Sequence, residues 1–261
     1  GNAHLAFASG PDAVFLNQSA LPYAKSQEIQ ISYFRSFAGM NYGALAYVYH
    51  LDDFTLGAGA VYYNAGKIEL NSINNNGTIS SSEITAMSDW LFNLGIGAGN
   101  ENLSVGASVK TLFSKIAFER GHAFMLDINS SLHTKDQRFI FAGAINNMGG
   151  KIKYVGVSEE IPAVMKLGMG YKFGILDYGD LALEADFVYN KGEDKNKYNA
   201  GIEYFPLYPV SVQFGMQDIK GKKLLSTGFS FKYGKLVLDY ALARAMQEYF
   251  IHRISLSYKT N

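Results

Sequence analysis

From Leu181 to Tyr258 the chain alternates apolar with polar or small side chains at a period of two. Leu181, Leu183, Ala185, Phe187 and Tyr189 are separated by Ala182, Glu184, Asp186 and Val188. Val210, Val212, Phe214 and Met216 are separated by Ser211, Gln213 and Gly215, and Leu225, Thr227, Phe229 and Phe231 by Ser226, Gly228 and Ser230. Successive Cβ atoms of an extended chain point to opposite sides, so this pattern predicts strands with one apolar face. Counting 198–204, 236–240 and 253–258, six strands follow one another here as an antiparallel meander. Upstream, the same alternation predicts strands over 28–34, 41–49, 54–63, 89–98, 103 to beyond 110, 123–132, 138–145 and 163–171, about fourteen in all. No helix longer than two turns is predicted, except over 241–247.

Residues 1–27 do not share the alternation. Ser9-Gly10-Pro11-Asp12 reads as a turn, Ala13-Val14-Phe15-Leu16 as a short apolar run, and Asn17-Gln18-Ser19 as its break. The organisation expected is an N-terminal segment over 1–27 followed by a sheet over 28–259. Connections after even-numbered strands are mostly brief (50–53, 99–102, around Gly234), with Pro206 to Pro209 irregular. Those after odd-numbered strands are mostly longer and polar: 64–88, 146–162, 191–197 and 217–223. Short turns on one rim and long loops on the other, with an even strand count, are the layout of an outer-membrane barrel.

Composition bears on which face meets water. Only 18% of the 261 residues are charged and the charges sum to zero, against about 25% in a typical soluble domain. Neutrality without a basic stripe argues against nucleic acid. The absence of cysteine excludes disulfides and thiolate metal sites. No apolar run is long enough for a membrane-spanning helix. No signal peptide is visible, so an exported chain is expected to be already processed at Gly1. A soluble sandwich or propeller would also alternate, with charge covering its outer face. Here the row opposite the apolar one carries Gly57, Gly59, Gly95, Gly97, Gly106, Gly168, Gly170, Gly201, Gly215 and Gly228. Glycine weakens an exposed strand and usually marks close approach of other chain, which suits a crowded lumen. Aromatic residues near strand ends, among them Tyr47, Tyr62, Tyr189 and Tyr258, suit interfacial girdles. The pattern therefore predicts an all-β, closed antiparallel transmembrane barrel, since an open edge in lipid would leave backbone groups unpaired.

Gly1-Asn2-Ala3 and Ala13-Val14-Phe15-Leu16-Asn17-Gln18-Ser19-Ala20-Leu21 resemble the N-terminal motif of the PorV/PorQ group of FadL-like outer-membrane proteins. Similarity to the PorQ branch continues through 33–43, 62–67, 103–110 and 252–258. The chain departs from the family at Gln18, where proline is usual, and at Ser19, where alanine is. The resemblance implies a fourteen-stranded barrel with its N-terminal segment folded inside as a hatch. The hatch motif is Ala13, Val14, Phe15, Asn17, Gln18, Ser19 and Leu21. It also implies either of two roles in the bacterial outer membrane. One is a non-enzymatic anchor for a type IX secretion or cell-surface complex, docking a protein partner at the extracellular loops. The alternative is FadL-like passive transport of long-chain fatty acids or other hydrophobic small molecules.

Asp89, Lys110, Asp127, Lys166, Glu184, Asp186, Glu203, Lys232, Asp239 and Arg253 all fall on the row opposite the apolar one. Lys or Arg facing lipid at midplane would cost about 2–4 kcal/mol, so these groups are expected in the lumen. Their mixed signs predict cross-lumen ion pairs that grip the hatch and occlude the barrel. No catalytic constellation is predicted. Gly95-x-Gly97-x-Gly99 lies within a strand and lacks the helix of a phosphate loop. His4, His50, His122, His133 and His252 lack metal-ligand spacing, and no Gly-x-Ser-x-Gly elbow exists. Neither cofactor nor metal is expected. The partners expected are outer-membrane lipid, a protein at the loops and a hydrophobic small-molecule ligand.

Overall fold

The structure is a computed structural model that describes all residues except 1–2, 25, 36–38, 74–75, 176–178, 193–195, 208, 220, 245–249 and 261. Its strands in chain order are β1 (Glu28–Arg35), β2 (Asn41–His50), β3 (Thr55–Asn64), β4 (Lys67–Ile73), β5 (Ile79–Thr85), β6 (Met87–Gly99), β7 (Leu103–Ile116), β8 (Glu119–His133) and β9 (Phe139–Met148). There follow β10 (Lys151–Lys153), β11 (Ser158–Glu160), β12 (Val164–Gly174), β13 (Asp180–Asn190), β14 (Lys197–Leu207), β15 (Val210–Ile219), β16 (Lys222–Tyr233), β17 (Leu236–Arg244) and β18 (Phe250–Lys259). Fourteen of them close into one antiparallel barrel in chain order, with β1 on β18 completing the ring. The other four pair as two hairpins, β4–β5 and β10–β11, and β10 packs against the inward face of β8 at Gly121.

The two faces of the wall differ as the alternation predicts. Along β7, Leu103, Val105, Val109 and Phe113 are exposed, while Ser104, Ser108, Lys110 and Ser114 are buried. On β8, Phe124, Leu126, Ile128 and Leu132 face out, and Met125, Asp127, Asn129 and Ser131 face in. Outward aromatics meet across strands: Trp90 lies opposite Tyr62 on one side and Phe113 on the other, and Phe139 opposite Tyr171. The inside is thus polar and the outside greasy, the inverse of a soluble sandwich.

Four sequence expectations are corrected. Residues 64–88 are not a polar loop; β4 and β5 pair along their length, and Lys67 meets Glu83 at 2.8 Å. Residues 146–162 likewise contain the end of β9 and the β10–β11 hairpin. The long loop expected over 217–223 is instead strand up to Ile219 and again from Lys222, because each further ladder bond satisfies a backbone group. Ala241 to Arg244, the start of the helix expected over 241–247, continue β17 against β18, the ladder overriding the helix preference of alanine; 245–247 lie outside the described residues. Pro206 is accommodated where the β14–β15 register shifts between Tyr204 and Leu207, since proline cannot donate to a ladder.

The N-terminal segment contains α1 (Gly10–Leu16), which begins where a turn is expected, with Pro11 in its first turn. A 3-10 helix (Gln18–Tyr23) follows, and between them the Asn17 side chain accepts the Ser19 N–H. Ala13, Val14, Ala20 and Leu21 pack with Ala46 and Val48 of the inner wall, forming one apolar cluster. Leu5 and Ala6 form a second with Ile140, Ala142 and Ala144.

Candidate functional site in the barrel lumen

Residues 3–24 lie against the inward rows, and glycines make room for them. A Cβ at Gly95 would stand 2.8 Å from Gln18 Cγ, and one at Gly170 2.6 Å from the Phe7 ring. At Gly106 an added Cβ would run into the Gln18–Ser19 backbone itself, which a rotamer change could not relieve. Gly57, Gly59, Gly97, Gly168 and Gly201 also abut this segment. The remaining two of the glycine row, Gly215 and Gly228, border open space.

The polar anchors come from β13 and, beyond β12 and β9 in the ring, from β8 and β6. On β13, Oδ2 of Asp186 accepts from the His4 and Leu5 N–H groups at 3.0 and 3.3 Å. Oε1 of Glu184 accepts from Ala6 and Phe7 at 2.6 and 3.4 Å. Two neighbouring inward carboxylates thus hold four consecutive backbone donors. On β8, Asn129 Oδ1 accepts from the Gln18 N–H at 3.1 Å, and Ser131 Oγ accepts from the Asn17 amide at 3.0 Å. Gln18 Nε2 donates to the Val14 carbonyl at 2.6 Å, and Asn93 of β6 donates to the same oxygen. Ser19 Oγ lies 2.7 Å from Ser131 Oγ. All seven residues of the expected hatch motif lie in this packed segment; Asn17, Gln18 and Ser19 are fully buried.

The ten expected lumen charges are placed individually. Lys110 and Asp127 form an almost fully buried ion pair, tied to β9 through the Asn147 N–H, which donates to Asp127 Oδ1 at 2.8 Å. Arg253 meets Asp12 of α1 at 3.6 Å. Glu203 accepts from Ser211 and Gln213 at 2.9 and 2.8 Å, and Asp239 accepts from Ser230. Lys166 lines a cavity together with Asp186. Asp89 is half-buried on β6, and Lys232 is exposed near the end of β16. Two ion pairs of this set are seen among the described residues, Lys110–Asp127 and Arg253–Asp12. The carboxylates of β13 instead accept from backbone N–H groups within reach, in hydrogen bonds strengthened by the carboxylate charge. Sequence reasoning missed Asp12, Glu28 (3.1 Å from Lys259), Asn93, Asn129 and Ser131. For Asn129 and Ser131 the signal was the continuity of the inward polar row of β8, Asp127-x-Asn129-x-Ser131, which reads past the charged residue.

Helix α1 and the 3-10 helix contact β1, β2, β3, β6, β7 and β8, leaving space toward β13–β18. A cavity of about 470 Å³ there is lined by Leu5, Leu16, Val188, Tyr240, Lys166 and Arg253, among others. A second, of about 330 Å³, reaches toward the rim that carries Glu28 and Lys259. A third, of about 140 Å³, borders Phe7, Glu184 and Glu203. Among the described residues no cluster of His, Asp or Glu is disposed to hold a metal ion.

No protein-family model and no curated protein matches the chain. Its fold, by contrast, matches solved barrels end to end. The toluene transporter TodX of Pseudomonas putida is similar at a TM-score of 0.68 and 14% identity, over 100% of this chain and 96% of that one. A FadL homologue from Pseudomonas aeruginosa is similar at 0.68 and 10% identity, over 99% and 96%. The CymD monoaromatic hydrocarbon channel is similar at 0.69 and 13% identity, over 98% and 94%. At such identities the likeness speaks for architecture alone: a closed, antiparallel, fourteen-stranded barrel.

Proposed function

We propose that the protein spans the bacterial outer membrane as a non-enzymatic, passive path for hydrophobic small molecules such as long-chain fatty acids, with the N-terminal segment as its hatch. In this reading residues 1–27 form the hatch and 28–259 the wall. The observation that carries it is the cavity of about 470 Å³ between segment and wall. There Leu5, Leu16, Val188 and Tyr240 offer an apolar lining, and Lys166 and Arg253 offer cations to an acidic head group. The names of the similar barrels, a toluene transporter and a monoaromatic hydrocarbon channel, support the same class of passenger. The decisive assay loads proteoliposomes bearing the purified barrel with labelled fatty acid and follows accumulation. Uptake above that of protein-free vesicles, reduced by filling the cavity with Leu16→Trp, is the expected result; uptake equal to the blank rejects the reading.

A second reading, an anchor for a type IX secretion or surface complex as the PorV/PorQ resemblance implies, is favoured by one feature. The β4–β5 hairpin and the 155–157 turn region expose Ile73, Ile79, Val155 and Val157, each more than two-thirds exposed, on the rim away from Glu28 and Lys259. A surface protein that co-purifies from native membranes and is lost on deleting 151–160 would support it.

A further inference from the structure

The strand register lines up a second feature, on the outer wall at the rim away from Glu28 and Lys259. Across β3, β6, β7 and β8 the ladder sets Asn64 opposite Ser88, Ser88 opposite Lys115 and Lys115 opposite Arg120. One step nearer mid-height it sets Tyr62 opposite Trp90, Trp90 opposite Phe113 and Phe113 opposite His122. Both sets belong to the outward rows, since the intervening pair, Ser114 and Gly121, is buried, and Ile152 of the β10–β11 hairpin approaches Gly121 from inside. A mostly aromatic row is thus bordered by a polar row that holds two adjacent cations, where the apolar face of β7 and β8 ends.

Lys115 and Arg120 face each other directly, which puts their Cβ atoms about 4.5–5.5 Å apart, and like charges so placed repel. Both are exposed, and neither has an ion-pair partner among the described residues. Glu119, the acid nearest in sequence, belongs to the alternate row. Elsewhere on the same rim the outward ladder balances its charges, with Lys223 opposite Asp218. Open water would screen the repulsion between Lys115 and Arg120; the low dielectric beside an apolar band strengthens it, and an anion held between the two removes it. The longer connections, 64–87 and 148–164, lie on this rim and mark it as the outward side of an outer-membrane barrel. The anion at hand there, level with an aromatic girdle, is the head group of an outer-leaflet lipid.

We propose that Ser88, Lys115 and Arg120 form a binding site for a phosphate group of an outer-leaflet lipid, with Tyr62, Trp90 and Phe113 against the upper part of its acyl chains. Arg120 offers a planar fork to two phosphate oxygens, Lys115 a point charge and Ser88 a hydroxyl on the neighbouring strand. The three strands place these groups over about 10 Å, at about 4.8 Å per strand spacing. Trp90 and Phe113 are each about half exposed, and the Trp90 and Tyr62 rings lie 4.8 Å apart, giving the chains a continuous aromatic surface. The proposal rests on the barrel's place in the membrane and not on what passes through its lumen.

Trp90 is the one tryptophan of the chain, so its emission reads the site without a label. Full-length chain in detergent, its folding verified by the shift in gel mobility on boiling, is titrated with diphosphorylated lipid A, with the same lipid stripped of phosphate, and with inorganic phosphate. Native mass spectrometry counts the lipid bound in each sample. The expected result is a saturable change in Trp90 emission with diphosphorylated lipid A alone. Combining Lys115→Gln with Arg120→Gln is expected to weaken binding about 30-fold, the worth of two cations facing an anionic lipid surface. Lys223→Gln leaves it unchanged. The double variant removes a repulsion, so without lipid its barrel is expected to fold at least as firmly as the wild type. Wild-type barrel that retains no lipid A overturns the proposal, as does equal affinity for the stripped lipid, which means partition of acyl chains only. Saturation by inorganic phosphate at the same concentrations, or a double variant that binds like the wild type, also overturns it. A chain that stays monodisperse without detergent sinks the membrane reading itself, whereas a detergent-dependent barrel that ignores lipid A sinks only this site.

Discussion

Gln18 occupies the position where the resembling family has proline, and its surroundings show what glutamine does there. Its backbone N–H donates to Asn129, and its side-chain amide donates back to Val14, with the whole residue fully buried. Proline could make neither bond. Gln18→Pro is expected to leave Asn129 Oδ1 unmatched and to loosen the N-terminal segment by about 1–3 kcal/mol, read as faster proteolysis of 1–24 with the barrel intact. The Lys110–Asp127 pair is a sharper case, since its side chains are 7% and 0% exposed. Lys110→Met strands a buried carboxylate and is expected to cost about 3–5 kcal/mol in a urea titration of the reconstituted barrel. Adding Asp127→Leu should restore much of that loss, because two packed apolar groups of similar size often replace a buried pair without penalty. Partial recovery in the double variant is the signature; equal damage in single and double would mean that Asp127 acts mainly through the Asn147 backbone.

Elements of the wall and elements inside it were not equally legible. All fourteen barrel strands stand where alternation places them, with ends moved by a few residues, because the outer row must be apolar and the inner row must fit a polar, crowded lumen. That double constraint writes itself into every second residue. The β5 strand, with Ser80, Ser81 and Ser82 in succession, has no buried face and so left no pattern to read. Helix α1 is seven residues, too short for a helical period to show. The inward position of Glu184 and Asp186 was legible as well, but their partners were not, since the N-terminal segment inside the lumen brings them donors some 180 positions away in sequence. The glycine row shows the same division: its side could be read, its contact with residues 3–22 could not. A graded substitution tests that contact. Gly106→Val sets a β-branched residue in a strand, which by itself favours the sheet, yet it collides with the Gln18–Ser19 backbone. The expected outcome is a folded barrel whose N-terminal segment is protease-sensitive, while Ala107→Val on the outward face leaves the segment protected.

For the molecule as a whole, the height of the greasy band decides what surrounds it. On β7 the outward row is free of charge from Leu103 to Phe113, and Lys115 follows; on β8 it runs from His122 to Leu132, with Arg120 beyond. Eleven residues rise roughly 36 Å along a strand at about 3.3 Å each, and a tilt of about 45° reduces this to about 25 Å, the height of the apolar band of outer-membrane barrels. Leu94, Phe124, Leu167 and Leu225 near the middle are each more than 60% exposed, with no protein against them. Such a belt in water would drive association of barrel against barrel. Purified chain is therefore expected to stay monodisperse only in detergent or lipid, and a stable monomer in plain buffer would contradict the assignment. A single substitution makes the argument quantitative. Leu167→Arg, facing out near mid-height, is expected to lower folding stability in lipid vesicles by about 2–4 kcal/mol, and Leu103→Arg, at the end of the band, by about 0–1 kcal/mol. A soluble fold would show neither the large cost nor its dependence on height, because arginine on a wet surface is indifferent to its position along a strand.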